Sequence, residues 1–283
     1  MNRINAEPFS TPLTEHGEGP VWLGERGLAV LDMLAGDVLL VDSAGRLTDR
    51  IHVDVVAAAA RPRKNGGLVV GIERGFALLD TKNVIESHIE CWDDRDVRMN
   101  EGATDPWGRF WCGSMANNLT PGAGAMWRLD PDGTTQRLFD QVGCSNGLAW
   151  SVDGHSAFFV DSLSDRIDRL TFSPAGELTG RETHVDLGGI GFADGLTVDA
   201  EGGIWLALFD GGRLVHFDAA GTADAEIVLP VRQVTACAFG GDNLSNLYIS
   251  TSRYAMERPE PLAGALFVAR PTVGGLPVPA FAG

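Results

Sequence analysis

Short apolar strands recurring at a near-constant interval, a composition of turn formers and aromatics, and scarce helical periodicity together predict an all-β fold. The specific expectation is a six-bladed β-propeller with four-stranded blades around a central channel. Among 283 residues there are 36 glycines, 14 prolines, 13 phenylalanines and 7 tryptophans, residues that turn a backbone or pack on a pleated sheet. No segment combines a long apolar stripe at helical spacing with caps at both ends. The one alanine run, "VVAAAARPRK", stops at Pro62 and reads as buried strand and loop.

The recurring strands are "RGLAVLD" from Arg26, "GGLVVGI" from Gly66, "GRFWCGS" from Gly108, "SAFFVDS" from Ser156, "GGIWLAL" from Gly202 and "NLYISTS" from Asn246. With Leu28, Leu68, Arg109, Ser156, Gly203 and Asn246 as equivalent points, the steps are 40, 41, 47, 47 and 43 residues. One propeller blade takes roughly 40 to 50 residues. Between the markers, "DSAGRL", "DPDGTTQRL", "SPAGELTG" and "DAAGTADAEI" read as hairpin turns flanked by apolar strands. A lone four-stranded sheet exposes both faces, so six units should stack around an axis as one domain over residues 1–283. The spare segment "RINAEPF" is placed to pair with "GALFVAR" and close the ring. A pair of β-sandwich domains is the structural alternative.

A net charge of −16 repels phosphate backbones and anionic lipid heads, which argues against nucleic acid and membrane partners. The amino-terminal "MNRINAEPFSTPL" lacks the apolar core of a signal peptide, and a cytoplasmic protein is expected. Cys91, Cys112, Cys144 and Cys237 show no C-x-x-C spacing and read as buried thiols.

About ten residues before the marker strand, four units carry an oxygen-bearing side chain: Glu18, Asn100, Asn146 and Asp194, at offsets of 10, 9, 10 and 9. Rotation about a propeller axis relates such positions, so if one faces the channel all should. Glu18, Asn146 and Asp194 make two carboxylates and one amide carbonyl, a set suited to a hard divalent cation. Gly19, Gly147 and Gly195 follow them and would permit unusual φ values. An N-G or D-G dipeptide taken alone is more often a hairpin turn, but turn chemistry does not predict a shared phase.

"GCSNGLAW" also matches G-x-S-x-G, with Ser145 as nucleophile. That motif requires a following helix and a histidine partner. Here "NGLAWSVDGHSAFFV" reads strand, turn, strand, and none of the six histidines shows triad context. Asn146 is therefore the functional residue of the stretch.

The ordered motifs "GEGPVW", "RMNEG", "TDPWGRFWCGSM", "SNGLAWS", "ADGLTVDAEGGIW" and "LPVRQVTACAFGGDNLSNLYIST" closely resemble the regucalcin (senescence marker protein) and gluconolactonase family, from about residue 13 to residue 255. The resemblance implies a six-bladed propeller with one divalent metal, held here by Glu18, Asn146 and Asp194, and lactone-opening activity. It implies that Arg98 and Asn100 meet the substrate, with Asn100 near the metal or its water. Two departures stand out. Glu101 occupies a position where the family often reads Asp, and "GSMANNLTPG" offers Asn117 and Asn118 where some relatives hold sugar hydroxyls with acidic residues. Glu101 and Asn118 join the expected substrate-binding set.

The expected reaction is metal-dependent hydrolysis of a sugar lactone, such as a glucono-, xylono- or arabinono-lactone, to the aldonic acid. A divalent ion polarises the carbonyl and lowers the pKa of a ligated water toward neutrality. Asp194 is the candidate general base, Glu18 serves the metal only, and Arg98 steadies the oxyanion or orients hydroxyls. The bland reading of Arg98 is a surface ion pair with "CWDDRD". The oxygen ligands accept Ca, Mn, Zn, Mg or Fe(II) alike. A monomer is the default. The alternatives are a non-catalytic calcium-, metal- or ligand-binding propeller and a hydrolase of another ester-like substrate.

Overall fold

The structure, a computed structural model, describes residues 1–283 and is built from 24 β-strands with three 3-10 turns. No helix is long and apolar enough to cross a membrane. After β1 (Asn2–Pro8), the first sheet comprises β2 (Gly17–Trp22), β3 (Leu28–Asp32), β4 (Asp37–Val41) and β5 (Leu47–His52). The second comprises β6 (Ala57–Pro62), β7 (Leu68–Ile72), β8 (Gly75–Leu79) and β9 (Ile85–Glu90). The third holds β10 (Val97–Thr104), β11 (Phe110–Ala116), β12 (Gly124–Leu129) and β13 (Thr135–Val142). The fourth holds β14 (Ser145–Trp150), β15 (Ser156–Asp161), β16 (Arg166–Phe172) and β17 (Leu178–Asp186).

The remaining strands are β18 (Phe192–Val198), β19 (Ile204–Phe209), β20 (Arg213–Phe217), β21 (Ala223–Val228), β22 (Val234–Gly240), β23 (Asn246–Thr251) and β24 (Phe267–Ala269). Here the structure differs from the expected six separate sheets. These strands and β1 form one eight-stranded sheet, ordered β18-β19-β20-β21-β1-β24-β23-β22. The merger comes from β1, which uses both of its edges. Asn2–Asn5 runs parallel to β21, and Ala6–Pro8 pairs antiparallel with β24. The pairing of the amino-terminal strand with the last strand is the one anticipated from "RINAEPF" and "GALFVAR".

The innermost strands β2, β6, β10, β14, β18 and β22 pack against one another in sequence, and β22 returns to β2. Six apolar clusters fill the spaces between successive sheets or half-sheets. The second strand of each unit feeds two clusters at once. In β3, Ala29 and Leu31 pack toward the second sheet, while Leu28 and Val30 pack toward β23 and β24. Likewise in β19, Trp205 and Ala207 face one neighbour and Ile204, Leu206 and Leu208 the other. A strand buried on both faces needs apolar residues at consecutive positions, which is why "LAVLD" and "IWLALF" are continuous apolar runs. The outer strands read differently: "LTDRIH" in β5 and "IESHIE" in β9 are mostly exposed, and their charges discourage edge-to-edge pairing with other chains.

The four sequence turn signatures all connect a third strand to its outer strand. Asp42 and Asp218 show the mechanism. Each accepts backbone N–H bonds from residues two and four positions on, at 2.8–3.0 Å, and so closes the turn. The carboxy-terminal segment then crosses the end of the inner strands remote from Glu18. Gly275 bridges to Asp199, Phe281 is fully buried beside β6 and β10, and its N–H donates to Pro62 O at 2.8 Å.

Candidate functional site

Every inner strand breaks register by one residue near its start. The shifts lie at Glu18/Val21, Ala57/Ala59, Met99/Glu101, Ser145/Leu148, Ala193/Leu196 and Val234/Ala236. A β-bulge re-aims the side chain at the break. The residues at the six breaks are Glu18, Ala58, Asn100, Asn146, Asp194 and Thr235, all buried. The shared phase seen in four units therefore holds in all six, and its physical form is a repeated bulge. Ala58 brings no polar group, and Thr235 turns its hydroxyl to Gly17 O and Ser250.

The glycines that follow act differently from expectation. Only Gly19 adopts a left-handed backbone, at φ +47°. Gly147 and Gly195 are required by close approach of neighbouring inner strands. A Cβ on Gly195 would lie 2.5 Å from Ala236 Cβ, and one on Gly147 would lie 2.8 Å from Leu196 N.

A hydrogen-bond chain fixes the polar side chains. Arg98 Nη1 donates to Asn100 Oδ1. Asn100 Nδ2 donates to Asn146 Oδ1 at 3.0 Å and to Ser145 O at 2.7 Å. Asn146 Nδ2 donates to Ser162 Oγ at 2.7 Å, and Ser162 Oγ donates to Ala193 O, next to Asp194. The chain ties β10, β14 and β18 together and sets the amide orientation of Asn146. Arg98 makes no ion pair with the acidic "CWDDRD" segment; its other contacts are Met99 O and Met33.

The carboxylates lack such partners. Glu18 Oε2 accepts from Gly19 N at 3.3 Å, and Glu18 Oε1 is 3.8 Å from His16 Nε2. Burial, followed by repulsion from Glu101, holds the Glu18 carboxyl well above the usual carboxylate range. Burial and then Glu18 do the same to Asp194. Glu101 is pushed up to about 7 by burial, which Arg61 opposes. His16 is lowered to about 4, first by burial and then by Arg98, so it is neutral. Glu101 thus opposes the ionisation of both Glu18 and Asp194, and Glu18 that of Asp194.

Glu101 and Asn118, both expected at the substrate, stand outside the hydrogen-bond chain. Glu101 Oε2 is buried without a partner, and the residue belongs to the lining of a cavity of about 440 Å³. This cavity runs from the bulges, at Gly19 and Glu101, toward the other end of the inner strands, where Thr104, Trp150 and Val278 of the carboxy-terminal segment line it. Glu18, Asn146 and Asp194 do not themselves line it. Asn118 is exposed, and its Oδ1 accepts from Thr120 N and Oγ1 in a local turn. No group of three or more His, Cys, Asp or Glu side chains is placed to hold a metal ion. The Glu18, Asn146 and Asp194 set has two carboxylates and an amide. Ser145 is fully buried, its Oγ makes no hydrogen bond, and a strand follows it instead of a helix. Burial pushes the adjacent Cys144 thiol up to about 12, which leaves neither residue as a nucleophile.

Sequence reasoning passed over three residues that position the site. Asp161 accepts from Gly143 N and Cys144 N at 2.8 and 2.9 Å and so anchors the start of β14. Asp32 does the same for Glu15 N and His16 N ahead of β2, both at 3.0 Å. Ser162 holds the Asn146 amide. The available signal was the repeat itself: "AVLD" and "FFVD" end equivalent strands on an aspartate.

The chain matches the family model described as SMP-30/Gluconolactonase/LRE-like region over residues 16–253. It is 32% identical to regucalcin of Gallus gallus over 300 residues, covering 100% of both chains. It is also 32% identical to YvrE of Bacillus subtilis (strain 168), by name a candidate sugar lactone lactonase, over 94% of this chain and 95% of that one. Among solved structures, regucalcin of Agrobacterium tumefaciens, described as a calcium-binding protein, superposes with a TM-score of 0.92 at 26% identity and covers 99% of each chain. The motifs, the strand architecture and these matches agree: the chain belongs to the SMP-30/gluconolactonase/LRE-like family.

Proposed function

We propose that this chain is a divalent-metal-dependent lactonase that opens sugar lactones, of the glucono-, xylono- or arabinono- type, to aldonic acids. The same proposal reads residues 1–283 as one domain, a six-bladed propeller in which the eight-stranded sheet is two blades joined through β1. The ring of inner-strand contacts and the six inter-sheet clusters support that reading.

One observation carries the function: two buried carboxylates, Glu18 and Asp194, and the fixed amide of Asn146 project from equivalent bulges, with no ion pair to a lysine or arginine. Buried like charges are costly unless a cation balances them. The residues therefore fit a hard divalent ion, with Glu18, Asn146 and Asp194 as its protein ligands. When bound, such an ion supplies positive charge that polarises a lactone carbonyl and acidifies water.

The chain's own groups divide the remaining work. Asp194, as carboxylate, takes the proton of the attacking water. Arg98, held by Asn100, presents its free guanidinium donors to the developing oxyanion or to a substrate hydroxyl. Asn100 keeps Asn146 aligned. A second reading, metal binding without turnover, draws on the calcium-binding description of the Agrobacterium relative.

The test is acid release from an aldonolactone panel by chelator-treated protein, above the spontaneous rate, with divalent ions restored one at a time. Activity that vanishes with chelation and returns with an ion supports the proposal. Activity indifferent to chelation overturns the metal site, and binding of an ion without turnover selects the second reading.

A further inference from the structure

The end of the inner strands that carries Glu18 and Asp194 is bordered by an apolar arc that sugar recognition does not explain. Phe192, two residues before Asp194, is 37% exposed, and its ring centroid lies 6.4 Å from that of Phe209. Phe209 meets the His16 ring at 6.4 Å, and His16 meets Tyr254 at 5.3 Å. His16 is itself beside Glu18, and the Tyr254 phenol lies in the electrostatic surroundings of Arg98. Leu163, 40% exposed, and Ile190, 36% exposed, lie in the loops after β15 and before β18 respectively. Large apolar side chains left in water beside a polar site mark surface that a ligand covers.

Apart from Arg98, Glu18 and Asp194, the polar side chains at the same end are already committed to the protein. Both ends of the Asn100 amide are bonded, Ser162 spans Asn146 and Ala193 O, and Ser252 spans His16, Glu15 O and Tyr254 N. Asn117 donates to Arg95 O, and Asn118 serves Thr120. One buried acceptor without a partner, Gln233 Oε1, sits on the residue whose Nε2 donates to Tyr254 O. A ring of hydroxyls finds few free donors and acceptors here, whereas an apolar group finds the linked rings of Phe192, Phe209, His16 and Tyr254.

We infer a further activity: this site takes lactones bearing a single alkyl or aryl substituent, with that substituent laid on Phe192, Phe209 and Tyr254. The inference rests on the lactonase reading. The step is balanced hydrolysis: water oxygen bonds to the carbonyl carbon, the carbon–ring-oxygen bond breaks, and the ring oxygen leaves as a hydroxyl after gaining a proton. The acid formed releases one proton to solvent.

The experiment compares kcat/KM of the metal-loaded protein for γ-phenyl-γ-butyrolactone, unsubstituted γ-butyrolactone and glucono-lactone. A phenyl-to-unsubstituted ratio of roughly tenfold or more is expected, since apolar pockets discriminate by such factors. Phe192→Ser and Tyr254→Ala should each lower that ratio severalfold. A ratio near one, or one unmoved by both variants, overturns the inference and leaves the lactonase reading intact. If no lactone is opened, the lactonase reading fails. The arc is then judged by quenching of intrinsic fluorescence on binding γ-phenyl-γ-butyrolactone: saturable quenching weakened by Tyr254→Ala supports it, and no quenching overturns it.

Discussion

The two ends of the six inner strands solve opposite problems with the same backbone. At their starts, bulges gather Glu18, Asp194 and Asn146 where carboxylates repel one another. Toward their ends, Val21, Leu148 and Val198 line an apolar cavity that the carboxy-terminal segment covers. The comparison teaches that stability and chemistry are held at separate places along each strand. The remote end is covered by the carboxy-terminal segment around a cavity, and the near end keeps unbalanced charge.

Breaking the charged end should give the largest effect. Asp194→Asn is expected to reduce lactone turnover more than about a thousandfold, because in the proposed mechanism it removes both a metal ligand and the base. The same variant should stabilise the chelated protein. A carboxyl whose pKa is raised by folding favours the folded state fully below its unfolded value, near 4, and loses that contribution as pH rises through the folded value. The metal-free wild type should therefore melt at lower temperature as pH climbs from about 4 past 7, and a divalent ion should restore several degrees. Calorimetry of chelated and metal-loaded protein across that range reads all three expectations. A flat profile would refute the repulsion between Glu18 and Asp194.

Breaking the packed end comes next. Phe281→Ala empties a fully buried position and should cost about 3–5 kcal/mol in denaturant unfolding, with metal affinity little changed. Gly195→Ala probes the space between the two ends. Its Cβ would meet Ala236, and a loss of about 1–3 kcal/mol is expected together with weakened metal binding, because the Asp194 bulge must shift. Ser162→Ala should have the smallest effect, roughly a tenfold drop in kcat/KM with about 1 kcal/mol in stability, since it frees the Asn146 amide to rotate. An unchanged kcat/KM would show that Asn146 needs no help from Ser162.

The apolar runs made the fold legible, because a strand sandwiched between two neighbours must be apolar at consecutive residues, and "LAVLD", "LVVGI" and "IWLALF" are. Glu18, Asn100, Asn146 and Asp194 were legible through their common offset, which the bulges reproduce. Asp32 and Asp161 were not, since an aspartate at a strand end looks like any turn former until the amides it accepts are known. Glu101 and Asn118 were placed at the substrate by resemblance, and their own surroundings were not legible because a contact depends on side-chain direction. Glu101 lines the cavity, and Asn118 closes a turn.

By itself, then, the sequence determined the strand-rich architecture, the repeat and the identity of the oxygen-bearing side chains, because period and phase are local properties of a chain. Only the tertiary structure decided that β1 would fuse two sheets, that Gly147 and Gly195 answer to close packing, and that a cavity lined by Glu101 runs from the bulges beneath the carboxy-terminal segment. Those outcomes depend on distances between residues remote in sequence, and steric exclusion and burial act only once the strands have met.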